Sequence, residues 1–156
     1  MVFGHGTEVY DEFVRIPFLL INPVLFGGKI SPRTAGLIDL APTILGLLGE
    51  RSPSSWQGAD LLGSRSRRYN YSFVTWNNFK ISLRTQERSY IYDVANNRVQ
   101  IFDRRADALE MQDIGDTVAP EEIEKIKLEI GDWKEKQDQY LNQHNSDSLV
   151  SDAMNK

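Results

Sequence analysis

Residues 16–21 (IPFLLI) restrict this chain more than any other feature. They form a short unbroken apolar run, closed by Asn22-Pro23, without the alternation of a strand that has one wet face. Such a run fits a strand covered on both faces, as in a parallel α/β sheet. After the Gly27-Gly28 turn comes a second apolar stretch, residues 36–49 (GLIDLAPTILGLLG). Here the pattern predicts a short helix with Asp39 as N-cap, Pro42 in its first turn and Gly49 just past its end. Leu40, Ile44, Leu47 and Leu48 lie along one side of it. One short helix cannot cover both faces of a strand. The rest of the cover is expected from the second half of the chain, from another chain or from further sequence, as in a piece cut from something larger.

The second half reads differently. Residues 69–76, 79–84, 89–94 and 98–102 are β-prone, and Asn77-Asn78 and Ala95-Asn96-Asn97 between them are hairpin-type turn signals. This order predicts an antiparallel meander. Pro120, followed by Glu121 and Glu122, opens a long helix with favourable charge near its N-terminus. Ile123, Ile126, Ile130, Trp133 and Tyr140 form an apolar stripe on it, expected to pack on the meander rather than in a coiled coil. Gly131 weakens the helix by about 1 kcal/mol relative to Ala. The fold expectation is α/β. Residues 1–63 form a piece of a larger α/β domain, 64–142 an antiparallel subdomain with its long helix, and 143–156 a frayed polar tail. Residues 63–68 (GSRSRR) read as an exposed connector whose arginines are solvated.

Composition narrows the function. With 18 Lys and Arg against 22 Asp and Glu, the net charge of -4 argues against an electrostatic nucleic-acid binder. At 40% hydrophobic and 26% charged, the chain has the balance of a folded protein rather than a disordered one. It has no cysteine, hence no disulfide and no thiolate metal site. No apolar run approaches the ~20 residues of a membrane-spanning helix. The opening MVFGHGTEVYDEF has no basic segment followed by an apolar stretch, so no signal peptide is expected there, and the compartment stays open.

Histidine occurs only as His5 and His144. His144 falls in the polar tail, where a solvated side chain is expected. His5 lies between Gly4 and Gly6, just upstream of the apolar run, and glycines let a backbone approach a ligand closely. Taken alone, a single histidine of this kind is more often structural than catalytic. Asp11 and Glu12 are adjacent carboxylates, which on an extended segment point to opposite sides and read as loop structure.

The wider pattern around His5 resembles the sulfatase family. Residues 4–23 (GHGTEVYDEFVRIPFLLINP) are similar to the segment that sulfatases carry just after their second metal-binding motif. There a His- or Lys-containing loop leads to a Tyr, acidic residues and an Arg-hydrophobic-Pro step, matched here by His5, Gly6, Tyr10, Asp11, Glu12, Arg15 and Pro17. Asp39, Leu40, Ala41, Pro42 and Thr43 resemble the family's Asp-Leu-Ala-Pro-Thr helix. Residues 56–62 (WQGADLL) are similar to its Gly-x-Ser/Asp-Leu-Leu step. Residues 101–116 (IFDRRADALEMQDIGD) resemble the terminal Leu-Tyr-Asp-Leu-x-x-Asp-Pro-x-Glu-x-x-Asn-Leu signature, with Ala108 in place of the usual Pro and Gln112-Asp113 near the usual Asn. The resemblance covers nearly all of residues 4–142, in the family's order.

The resemblance implies an alkaline-phosphatase-like fold and hydrolysis of sulfate esters by a hydrated formylglycine beside a divalent cation, usually calcium. It assigns His5 to a position that contacts the sulfate or leaving-group oxygen, as oxyanion donor or general acid. The family's nucleophile motif and metal-ligand motifs have no match in these residues, and Ser31-Pro32-Arg33 has the wrong spacing for the former. The expectation is therefore a C-terminal fragment, inactive alone, with neither cofactor nor metal ligand of its own. Calcium or another divalent cation would belong to the complete parent enzyme. Its expected partner is the missing N-terminal portion, or a second copy meeting it through exposed apolar surface. Two other readings stand beside this one. The parent could be a phosphotransferase or phosphodiesterase related to lipoteichoic-acid synthases, which uses Thr and usually manganese. Alternatively, the chain is a non-catalytic binding module.

Overall fold

A computed structural model describes residues 7–64, 67–75 and 79–154, with side chains to residue 143. The architecture is α/β, with a four-stranded antiparallel sheet and a long C-terminal helix. The chain divides into two compact units, Met1–Asp116 and Thr117–Lys156.

The first unit centres on the meander, β1 (Asn70–Val74), β2 (Lys80–Arg84), β3 (Arg88–Asp93) and β4 (Arg98–Asp103), in sheet order β1-β2-β3-β4. All four expected strands form. Each pairs with its sequence neighbour, so short turns close every ladder they join. Thr85 makes the β2–β3 turn: its N–H donates to the Arg88 carbonyl, and its Oγ1 accepts from the Glu87 and Arg88 N–H groups. At the β3–β4 turn Asn97 takes φ 50°, the left-handed conformation that Asn tolerates better than most residues. The Asn77-Asn78 turn lies outside the described residues.

Register sorts the side chains onto two faces. Ser82, Ile91 and Gln100 stand in one row, with Arg84, Ser89 and Phe102 in the next row on the same face. Ile81, Leu83, Tyr90, Val99 and Ile101 occupy the other face, and all five are buried. Each fully buried aliphatic side chain contributes about 1.5–3 kcal/mol relative to an exposed one. The first face is closed by residues 8–11. Val9 enters a core with Val74, Ile91 and Phe102, and the Tyr10 ring meets Phe102 edge-on. These N-terminal residues thus pack in the meander's own core.

Residues 16–21 do not form a strand. Ile16, Phe18, Leu19 and Ile21 are exposed, and beyond them so are Val24, Leu25 and Ile30. The doubly covered strand inferred from the apolar run is absent for a physical reason. An isolated extended segment has no ladder partner for its N–H and C=O groups, and among the described residues no strand pairs with it. The expected helix does form, as α2 (Leu40–Leu47) after a 3-10 turn at Leu37–Asp39. It ends at Gly49 (φ 78°), where Glu50 N–H bonds the Leu45 carbonyl and Gly49 N–H the Gly46 carbonyl, a Schellman end. Its stripe, Leu40, Ile44, Leu47 and Leu48, is exposed, while Pro42 and Thr43 are buried.

The second unit contains α3 (Pro120–Met154), with Glu121 and Glu122 in its first turn. Ile126 and Ile130 are buried and Ile123, Trp133, Gln137 and Tyr140 half-buried at the spacing of one helical face, while Glu122, Lys127 and Glu129 are half-buried beside it. The polar segment expected to fray after Asn142 continues as helix through Met154. Among the described residues no helix is long and apolar enough to cross a membrane.

Candidate functional site

His5 and its flanking glycines, the substrate-contacting position implied by the resemblance, lie outside the described residues, and the His144 side chain does too. The described part of that segment begins at Thr7 and includes a short helix, α1 (Asp11–Val14). Asp11 and Glu12 sit on this helical turn rather than on an extended chain. Asp11 points inward and is buried, while Glu12 is exposed. The two carboxylates therefore part company, as two extended neighbours would, but by helical rather than strand geometry.

Asp11 belongs to a buried ionic cluster. Arg84 on β2 places Nε 3.4 Å from Asp11 Oδ1 and Nη2 3.4 Å from Glu110 Oε1. Arg84 Nη2 also donates to the Val9 carbonyl at 2.6 Å, and Nη1 donates to Ser82 Oγ. Arg104 Nη2 stands 3.6 Å from Asp11 Oδ1, and the Asp11 N–H donates to Glu110 Oε2 at 2.7 Å. The exposed Arg15 adds a third cation, with Nη1 3.5 Å from Asp11 Oδ2. Burial lowers the Arg84 pKa from its usual value, and the charges of Glu110 and then Asp11 oppose that shift. Glu110 carries its carboxylate from a backbone at φ 52°, a conformation rare for a residue that is not glycine.

Asp39 is the hub of a second polar cluster, fully buried. It does not cap α2 with its side chain. Instead Oδ2 accepts from Gly36 N–H at 2.9 Å, and Oδ1 accepts from Ala59 N–H at 2.8 Å and Arg67 Nη2 at 2.6 Å. Thr43 Oγ1 donates to the Asp39 carbonyl and accepts from Leu61 N–H. The loop of residues 56–62 is thereby tied to the start of α2. Gly58 is required in this tie, because a Cβ there would strike the Ile38 carbonyl and the Pro42 ring. Arg67, read from sequence as a solvated connector residue, pairs with a buried carboxylate. Its charge run concealed that role, and no spacing rule would have found it. Arg68 stacks over the Tyr69 ring at 5.0 Å, and Arg65 lies outside the described residues. Arg33 of the Ser31-Pro32-Arg33 step donates from Nη1 to the Leu61 and Gly63 carbonyls.

The acidic residues of the terminal signature are engaged by backbone N–H groups. Asp103 accepts from Arg105 and Ala106, Asp107 from Met111 and Gln112, and Asp113 from Ile101 and Gly115. These N–H groups hold the Asp103 and Asp107 carboxyls below the usual 3.8. Among the described residues no group of three or more His, Cys, Asp or Glu side chains could hold a metal ion.

A scan against models of known protein families finds no match. Among solved structures the chain is similar to the sulfatase-class protein yidJ from Bacteroides fragilis, at 23% identity and a TM-score of 0.53 over 65% of this chain and 26% of that one. It is also similar to BT4656, solved in complex with its substrate D-glucosamine-2-N,6-O-disulfate (25% identity, TM-score 0.48, 70% of this chain and 26% of that one). A third is BT1596, a 2-O GAG sulfatase (19% identity, TM-score 0.47, 67% of this chain and 24% of that one). The likeness to yidJ shows a shared fold. The chain spans about a quarter of the length of these solved proteins.

Proposed function

We propose that this chain is the C-terminal portion of a sulfatase-type sulfuric ester hydrolase, and that its nucleophile and cation ligands stand on sequence beyond these residues. One observation carries the reading. The fold shared with a sulfatase-class protein covers only 26% of that protein, and four motifs similar to the family's follow one another here in its order. His5 serves as the substrate contact, donating to the sulfate or to the leaving-group oxygen. Calcium or another divalent cation acts in the complete enzyme. Asp11, Asp39, Asp107, Glu110 and Asp113 are already engaged by arginines and backbone N–H groups, which supports placing its ligands elsewhere.

The exposed apolar residues of 16–48 fit this reading. Ile21 and Ile30 are 85% and 97% exposed, and the stripe of α2 is open as well. A patch of this kind is an interface or an aggregation hazard. In this reading it receives the rest of the main sheet, and self-association is what the chain does without it.

Hydrolysis of an aryl sulfate tests the proposal. The chain alone should give no turnover, with or without added calcium. In a longer protein that carries the nucleophile, His5→Ala should depress kcat far more than it changes KM. An unchanged kcat in that protein would make His5 structural, and turnover by the chain alone would overturn the division of labour proposed here.

A further inference from the structure

Two polar atoms in the meander's ionic cluster have no hydrogen-bond partner among the described residues: Arg84 Nε and Ser89 Oγ. Both are shut off from solvent, Arg84 at 4% exposure and Ser89 at 0%. An unpaired polar atom in such a place bears the full cost of its lost hydration, and folded proteins pair nearly all of them. Register brings the two together. Arg84 and Ser89 face each other across β2 and β3. The Thr85 N–H donates to the Arg88 carbonyl at one end of this ladder, and the Val94 N–H donates to the Phe79 carbonyl at the other. Bonded pairs alternate along an antiparallel ladder, so Arg84 and Ser89 form a non-bonded pair between the bonded pair of Thr85 with Arg88 and that of Leu83 with Tyr90. Side chains approach most closely in pairs of this kind, and both point to the same face.

The guanidinium is held in place by its other two nitrogens. Nη1 donates to Ser82 Oγ and Nη2 to the Val9 carbonyl, with Glu110 alongside. Nε then stands 3.4 Å from Asp11 Oδ1, close enough for an ion pair, but no hydrogen bond joins them. Asp11 is restrained in turn by its own N–H, which donates to Glu110 Oε2. The donor set defines what can lie between these groups. The Nε–H only donates, the carboxylate only accepts, and the hydroxyl does either. A guest must therefore accept and donate at once. Arg84 and Arg104 disfavour a cation there, and Asp11 and Glu110 disfavour an anion. The neutral guest that does both and suits a closed protein interior is water, which makes about three hydrogen bonds when buried.

We infer that one buried water bridges Arg84 Nε, Ser89 Oγ and Asp11 Oδ1 and is a structural member of the ionic cluster. It accepts from the Nε–H and donates to Asp11, and Ser89 makes the third bond. The short helix α1 is thereby joined to β2 and β3 through water as well as through direct ion pairs.

Two measurements on the full chain test the bridge. A crystal structure should show density for one ordered water within about 3.2 Å of Arg84 Nε, Ser89 Oγ and Asp11 Oδ1. Direct bonding of Nε to Asp11, with Ser89 Oγ bonded to another protein group and no water between them, would overturn the bridge. The second measurement is the sign of the stability change in Ser89→Ala, a substitution that removes only the hydroxyl oxygen and leaves the register intact. A hydroxyl held by water is satisfied, so its loss should lower the urea midpoint by about 0.3–0.5 M. A hydroxyl without a partner destabilises the fold, and removing it would raise the midpoint. A raised or unchanged midpoint therefore counts against the bridge as decisively as the missing density.

Discussion

Residues 16–48 and the meander are both rich in large apolar side chains, yet they treat them in opposite ways. Leu83, Ile91 and Ile101 are 0% exposed, whereas Ile21 and Ile30 are left open to solvent. The difference lies in where each segment finds its hydrogen-bond partners. Every strand of the meander pairs with the next strand in sequence, so its ladder and its core assemble from local contacts. Residues 16–21 find no such neighbour among the described residues. Apolar content alone therefore does not make a core; a backbone partner must come with it.

The largest expected effect strikes the meander's ionic centre. Arg84→Met leaves Glu110 buried without its arginine and Asp11 with Arg104 and Arg15 alone, and urea denaturation should register a loss of about 3–5 kcal/mol. A loss below about 1 kcal/mol would mean that water reaches the cluster freely.

A matched pair of truncations measures the contrast itself. Ile101→Ala should cost about 2–5 kcal/mol in the same experiment, because its side chain is wholly enclosed. Ile21→Ala should change stability by no more than about 0.5 kcal/mol. Equal costs would erase the distinction between the two regions.

A third substitution asks whether the regions melt separately. Asp39→Ala removes the acceptor for Gly36, Ala59 and Arg67, worth about 1–3 kcal/mol locally. Amide exchange should quicken at Gly36 and Ala59 and hold steady at Leu83 and Ile101. Faster exchange at all four would show the two regions to be one cooperative unit.

Acid gives the smallest and most local effect. The Asp107 carboxyl is held below 3.8 by the Met111 and Gln112 N–H groups, so its contribution is complete above the unfolded value and disappears as pH falls through the lower folded one. The Met111 and Gln112 amide resonances should stay put down to about pH 4 and move only below it. A midpoint above pH 4 would contradict the depressed value.

The sequence made local structure legible and distant partnership not. Turn residues, β-prone runs and the Pro120-Glu121-Glu122 start marked the four strands and α3, because each is decided by neighbours a few residues away. The end of α2 at Gly49 was legible for the same reason. The failures share the opposite cause. Arg67 reaches Asp39, and Asp11 reaches Glu110, across long stretches of chain that no periodicity reports. The run at 16–21 suggested a covered strand that does not form here, because an apolar pattern cannot say whether a ladder partner is at hand. For the candidate site, the resemblance singled out His5, and the partners of residues 8–11 farther along became visible only with the structure.

Whether these residues complete a sulfatase-type enzyme, as proposed, is decided by reading the coding sequence upstream of Met1. The expected result is an in-frame extension with Asp-His-Gly or Asp-Asn-Gly shortly before Val2, and Cys/Ser-x-Pro/Ala-x-Arg farther upstream. A Thr nucleophile in that extension would move the enzyme to the phosphotransferases. A stop codon or unrelated sequence there would contradict the account and leave a binding module to be explained.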